Sequence, residues 1–269
     1  MYEEPYRWVE AVGNRRQYLD EQFRQGSPVV ALSFGEGVLF MTVSKGTPKL
    51  YEIYDRIGLG GMGHPADLEK LRFSLLEMAH LEGFNRSPSD VTGSRLMKYG
   101  LAPAIKQAFE EIYKAPYIVK MLLAELGSKS GRDAFLTVNY DGTFEEVGGG
   151  AVLAATPAIQ REMMDVLSTQ GSLADAELSQ AFEAALLLWA VGSLRQRRED
   201  HIGVSESPEA GAASSAFDRR TLLAHLREVL NDRTNVECAV LERKLPGSSK
   251  YRSVKPDEAA SLLPLDLKD

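Results

Sequence analysis

The stretch YDRIGLGGMGHPADLEKL, residues 54–71, decides the fold. Its Gly58-Leu59-Gly60-Gly61-Met62-Gly63 is a literal G-x-G-x-x-G, preceded by a strand-like segment and followed by a helix-like one. Read as a dinucleotide fingerprint, it predicts a parallel, doubly wound sheet. That reading needs a second parallel strand after the helix, with an acid near its end. Here the helical segment from Ala66 to Glu82 leads through residues 83–88 into another helical segment, and no second strand arrives. His64 and Pro65 also replace the close helix start that would aim N–H groups at a phosphate. A dinucleotide-binding oxidoreductase is therefore the weaker functional alternative. The glycines are expected instead to let a strand pass close to packed neighbours.

Working outward, helical and strand periods alternate in blocks. Residues 6–25 read as a helix, with Trp8, Val12, Leu19 and Phe23 at helical spacing, Pro5 suited to its first turn and Gly26 ending it. Val29–Phe34 and Val38–Val43 form a hairpin, and Lys49–Leu59 is a further β-rich stretch. A helix with Leu68, Leu71, Leu75 and Met78 on one stripe ends at Gly83. A second runs from Asp90 to Tyr113 with a kink predicted at Pro103. Tyr117–Leu126, Ala134–Tyr140 and Thr143–Val147 read as strands, the last two around an Asp141-Gly142 type I′ turn, and Ala151–Ala155 continues the pattern. Thr156 caps a helix with Pro157 at its first position. Ser172 to Asp175 resembles a capping box for the next, which carries the apolar run to Val191. Residues 193–217 read as a mobile surface loop. A short helix Leu222–Leu230, strands Val236–Glu242 and Tyr251–Val254, and a last helix from Asp257 complete the chain. Strands group with strands and helices pair with helices, which predicts two antiparallel sheets with helix pairs outside them.

Composition narrows the function. The 269 residues carry a formal charge of −7, which argues against a nucleic-acid surface. The only cysteine, Cys238, excludes an intrachain disulfide and suits a reducing cytoplasm. His64, His80, His201 and His225 are scattered singly, without metal-ligand spacing, so neither metal nor cofactor is expected. The apolar run from Ala184 is too short to span a bilayer, and no signal peptide is visible; no membrane partner is expected.

SPVVALSFGEGVLFM (27–41), KLYEIYDRIGLGGMG (49–63), DVTGSRL (90–96) and the pieces ECAVLERK (237–244) and KYRSV (250–254) together resemble a bacterial proteasome core-particle α subunit of the actinobacterial kind. The resemblance covers nearly the whole chain from Pro5. It implies one α+β domain over residues 1–269, a four-layer α-β-β-α sandwich of the N-terminal-nucleophile hydrolase type. It implies a non-catalytic, cytoplasmic subunit, forming a homoheptameric ring that caps proteasome β subunits and admits unfolded protein delivered by a ring-shaped ATPase activator. Met1, Tyr2, Glu3 and Glu4 would be gate residues within a segment 1–5, and Tyr6–Gln25 the helix beside the pore. Lys49 would pair with the C-terminal carboxylate of the activator, with Gly63 beside it. In catalytic relatives a threonine is freed at the start of the first strand, with its amine as proton shuttle. The matching position is Ser27, after Gly26. Val43 stands where such relatives carry an aspartate, and Pro28 replaces a second threonine. A self-compartmentalising hydrolase with Ser27 as processed nucleophile is the alternative. The segment 193–234 is longer than the resemblance implies.

Overall fold

Strands that carry apolar residues on both faces must be covered on both. VVALSF, GVLFMTV and VKMLLAE are such strands, and alternate residues of each feed different cores. A computed structural model describes residues 5–43, 46–111, 113–129, 132–202, 217–230 and 236–267. In chain order it holds α1 (Pro5–Phe23), β1 (Val29–Phe34), β2 (Gly37–Val43), β3 (Leu50–Tyr54), β4 (Ile57–Gly63) and α2 (Pro65–Asn85). After a 3-10 turn come α3 (Gly93–Arg95), a π-turn (Leu96–Leu101), α4 (Ala102–Glu110), β5 (Val119–Glu125), β6 (Ala134–Val138), β7 (Phe144–Gly148) and β8 (Gly150–Leu153). Then follow α5 (Pro157–Thr169), α6 (Leu178–Ile202), α7 (Arg219–Val229), β9 (Val236–Glu242), β10 (Tyr251–Ser253) and α8 (Pro256–Leu262).

Two antiparallel sheets result, in the orders β10-β9-β2-β1-β8 and β3-β4-β5-β6-β7. Val29 and Ala31 of β1 and Leu122 and Ala124 of β5 meet in the core between the sheets. Val30 and Leu32 turn the other way, under α5, α6 and α7, while Met121 and Leu123 pack under α2 and α4. Helices thus cover both outer faces, giving the α-β-β-α sandwich. Far from α1, the two sheets are tied by a buried carboxylate. Asp133 accepts from Ser33 Oγ (2.9 Å), from Gly127 N (2.9 Å) and, through both carboxylate oxygens, from Arg243 Nη2 (2.7 and 2.6 Å).

The glycine stretch lies inside β4, antiparallel to both neighbours. A Cβ on Gly58 would meet the Phe40 ring at 2.8 Å, one on Gly60 Val29 at 2.7 Å, and one on Gly61 Leu68 at 2.2 Å. These are packing glycines between the sheets and under α2.

Several expected elements differ. Lys49–Leu59 is not one stretch: β3 turns at Asp55-Arg56 and returns as β4, with Leu50 opposite Gly60. α1 closes at Phe23, where Gly26 N donates to Phe23 O (2.8 Å), so the helix expected over 6–25 ends two residues early. α2 passes through Gly83, which is small because Tyr54 packs 2.3 Å from its would-be Cβ, not because the helix stops. The helix expected from Asp90 begins after Thr92, whose Oγ1 accepts from Arg95 N (3.3 Å). It opens into the π-turn just before Pro103, which has no N–H to continue a tight α ladder. The Asp141-Gly142 turn is not type I′: Gly142 N bonds Asn139 O (2.9 Å), so Tyr140 and Asp141 are central and Gly142, at φ +82°, follows them.

Ser172 spends its side chain on Ala174 N (3.2 Å), and α6 starts later, at Leu178. α6 then continues to Ile202, so the first part of the loop expected over 193–217 is helical; residues 203–216 lie outside the described residues. Its polar end is held by Arg195 against Glu162 (2.6 and 2.7 Å) and Arg197 against Glu228 (2.8 Å).

Candidate functional site

The β3–β4 hairpin decides where Lys49 and Gly63 meet. Because the segment folds back on itself, with Gly61 N donating to Lys49 O (2.9 Å), its two ends lie at one edge of the sheet. Gly63 has φ +129°, and a Cβ there would stand 2.0 Å from Ile118 O. The chain turns at this point: His64 N donates to Ile118 O (2.7 Å), and His64 Nδ1 caps α2 by accepting from Ala66 N (3.3 Å). Lys49 and Gly63 line one cavity of about 330 Å³ together with Phe23, Gly26, Ser27, Thr47 and His64.

A residue given no role by sequence reasoning fixes Lys49. The Glu237 carboxylate, from β9 in the opposite sheet, accepts from Lys49 N (2.9 and 3.1 Å) and Leu50 N (2.9 Å). Burial pushes its carboxyl above the ordinary range, while those two N–H donors and the Lys49 charge draw it back. The result is a lysine on a pinned backbone, with Gly63 on the wall of the same cavity. That arrangement suits a terminal carboxylate.

Ser27 separates this cavity from a second one. Its Oγ accepts from Trp189 Nε1 (3.1 Å) and lies 3.4 Å from Thr42 Oγ1, which donates to Pro28 O (2.7 Å). A short turn, Arg24 to Gly26, links Ser27 to the end of α1. Leu19 and Phe23 of α1 are fully buried between the sheets. Val43, at the end of β2, is buried and packs toward α6. The expected gate residues 1–4 lie outside the described residues.

Lys120 was also missed. It interrupts an apolar strand at a position only 3 % exposed. Its Nζ donates to Ala154 O and Ala155 O (both 2.9 Å) across the sheets and sits 4.8 Å from the centre of the Phe23 ring. Burial pushes its ammonium down to about 8, partly opposed by Asp20 and Asp141. Arg15 completes the seating of α1: its guanidinium donates to the carbonyls of Ala108 (3.1 Å), Phe109 (2.7 Å), Glu111 (3.2 Å) and Lys114 (2.6 Å) at the end of α4. Among the described residues no group of three His, Cys, Asp or Glu could hold a metal. No described helix is long and apolar enough to cross a membrane.

A sandwich of this topology, with a cavity at the junction of first helix and first strand, is the N-terminal-nucleophile hydrolase fold. Residues 23–185 match the family model described as proteasome subunit, and the chain belongs to that family. Among curated relatives, proteasome subunit alpha of Actinosynnema mirum is 29% identical over 252 residues, covering 93% of this chain and 83% of that one. The corresponding subunit of Jonesia denitrificans is 28% identical over 214 residues (78% and 87% covered). That of Streptosporangium roseum is 31% identical over 180 residues (64% and 65% covered). Within the family the chain is thus a core α subunit of the bacterial type.

Proposed function

We propose that the chain is the non-catalytic, gate-bearing subunit of a bacterial proteasome core. Seven copies close a ring, stack on a ring of proteolytic β subunits in the cytoplasm, and control access of unfolded protein through residues 1–4. The C-termini of a ring ATPase dock at Lys49 and Gly63. The observation that carries this reading is the burial of Leu19 and Phe23, both in α1, within the core between the sheets. A nucleophile at Ser27 would need its amine freed there, and freeing it would strip those two side chains from the core. The shared cavity of Lys49 and Gly63 supports the docking role. The whole chain acts as one domain and needs no cofactor.

Negative-stain microscopy of the chain mixed with its β partner, paired with intact mass, tests this. The expected outcome is stacked rings of seven-fold symmetry built from unprocessed chain. A mature chain beginning at Ser27 would support the hydrolase reading instead, and persistent monomers would remove the ring.

A further inference from the structure

The core between the two sheets is apolar over most of its extent. At one side β6, β7 and the start of α5 border a cavity of about 410 Å³. Alternation decides what faces it. Leu122 of β5 and Phe135 of β6 lie in the inter-sheet core, so Lys120 and Thr137, each two residues away in its strand, point to the same side. Glu145 of β7 stands directly opposite Thr137 in register and therefore shares its face. Pro157 and Arg161, in the first turns of α5, form the opposite wall.

The cavity is lined by charges of both signs that are not paired with each other. Lys120, Glu145 and Arg161 form no ion pair among the described residues. Lys120 Nζ spends two of its three donors on Ala154 O and Ala155 O. Carbonyls orient that ammonium without cancelling its charge. The acidic groups that act on it, Asp20 and Asp141, are engaged elsewhere: Asp20 accepts from Tyr140 Oη (2.8 Å), and Asp141 pairs with Arg16 (3.7 Å). Lys120 is almost fully buried, so it acts as a source of positive potential behind the wall rather than as a surface contact. The α5 N-terminus adds to that potential from the other side. Arg161 and Glu145 are exposed and within reach of an occupant. The Arg161 guanidinium gives only Nε, to Pro157 O (3.3 Å), which leaves the Nη donors of its fork.

We propose that this cavity binds a small zwitterion with amino-acid ends, an α-carboxylate and an α-ammonium. The carboxylate meets the Arg161 guanidinium in the positive field of Lys120 and the α5 N-terminus, and the ammonium meets Glu145. An anion alone would leave Glu145 unpaired, and a cation alone would leave Arg161 so. A ligand carrying both signs satisfies the two. A free amino acid and a dipeptide share this chemistry, and the volume is that of a small-ligand pocket. The site shares no lining residue with the Lys49 cavity and does not depend on the docking role of that lysine.

Isothermal titration of the full chain at neutral pH with leucine and with alanyl-leucine tests this. At least one should bind saturably, and the tighter of the two reports the length the cavity takes. Acetylating the ammonium of that ligand, or amidating its carboxylate, should weaken binding by about fivefold or more, because each leaves one charge of the site unpaired. Glu145→Gln should abolish the penalty for acetylation and keep that for amidation, and Arg161→Gln should do the reverse. Both side chains are exposed, so neither change disturbs the core. No saturable heat with either probe, a blocked form binding as tightly as the free one, or the same two penalties in both variants would each overturn the proposal. The comparison of free and blocked ligands uses the unaltered chain, so it stands whatever the variants do to folding.

Discussion

A Cβ on Gly63 would sit 2.0 Å from the Ile118 carbonyl oxygen on a backbone with φ +129°. Gly46 has a similar φ, +108°, but open space around its would-be Cβ. The two glycines separate strain from collision. Gly46→Ala should cost about 1 kcal/mol of stability from strain alone. Gly63→Ala should cost more than about 3 kcal/mol, because a backbone carbonyl cannot move aside without disturbing the β4–β5 ladder. Urea unfolding midpoints of the two variants check this, and equal losses would contradict it. Lys120 carries a different prediction. An unfolded lysine titrates near 10.4, whereas burial holds Lys120 at about 8 in the folded chain. Between those values the unfolded chain binds a proton that the folded chain has released, so stability rises with pH across that window. Below pH 8 both states are protonated and the cost of burying the charge is constant. The stability difference between wild type and Lys120→Met should therefore shift in favour of wild type by about 2 kcal/mol from pH 8 to pH 10. A flat difference over that range would mean the ammonium is not desolvated.

At the scale of elements, α1 is held by one end. Leu19 and Phe23 are buried, whereas Trp8 and Val9 stand in solvent. Its polar anchor is Arg15, which covers carbonyls at the C-terminal end of α4, where a cation is favoured. Arg15→Ala should cost about 2 kcal/mol, expressed as local release of α1 rather than global unfolding. Limited proteolysis should cut within α1 faster while the melting temperature of the sandwich changes little; unchanged cleavage would show that Leu19 and Phe23 suffice. The order of elements was legible in the sequence because each core imposes its own period. Strands grouped with strands and helices paired with helices announced two sheets with helices outside them, and the absence of a strand after α2 excluded a parallel sheet. Element limits failed where distant partners set them. The polar end of α6 reads as loop until Arg195 finds Glu162, and Gly83 reads as a stop until Tyr54 is seen against it. Glu237 was illegible for the same reason, since its partner Lys49 is 188 residues away. Lys120 left a trace, a lysine among the apolar residues of VKMLLAE, and such a lysine in a doubly covered strand marks a buried bond.

Over the whole molecule the two ends of the sandwich differ. One is shut by the Asp133–Arg243 network, and the other carries α1, Ser27, the Lys49 cavity and the second cavity beside Ser27. That asymmetry follows from the strands. The chain enters the sheets at β1 from α1, and β2, β4 and β8 all end at that same end of the sandwich. On the proposed reading, this is the end that meets the activator. Within an assembled core, Lys49→Ala should therefore weaken activator-dependent degradation of a folded substrate severely, by about tenfold or more, as expected for loss of a charge-assisted contact to a carboxylate. On the proposed reading, in which the β subunits would supply the chemistry, hydrolysis of a short peptide by the same assembly should stay within about twofold. Lys49→Arg keeps the charge but not the compact ammonium, and should fall between the two. Parallel loss of both activities in Lys49→Ala, with rings intact by microscopy, would move the lysine from partner docking to the integrity of the core itself. The Glu237 contact to its backbone amide would then be the more important half of the pair.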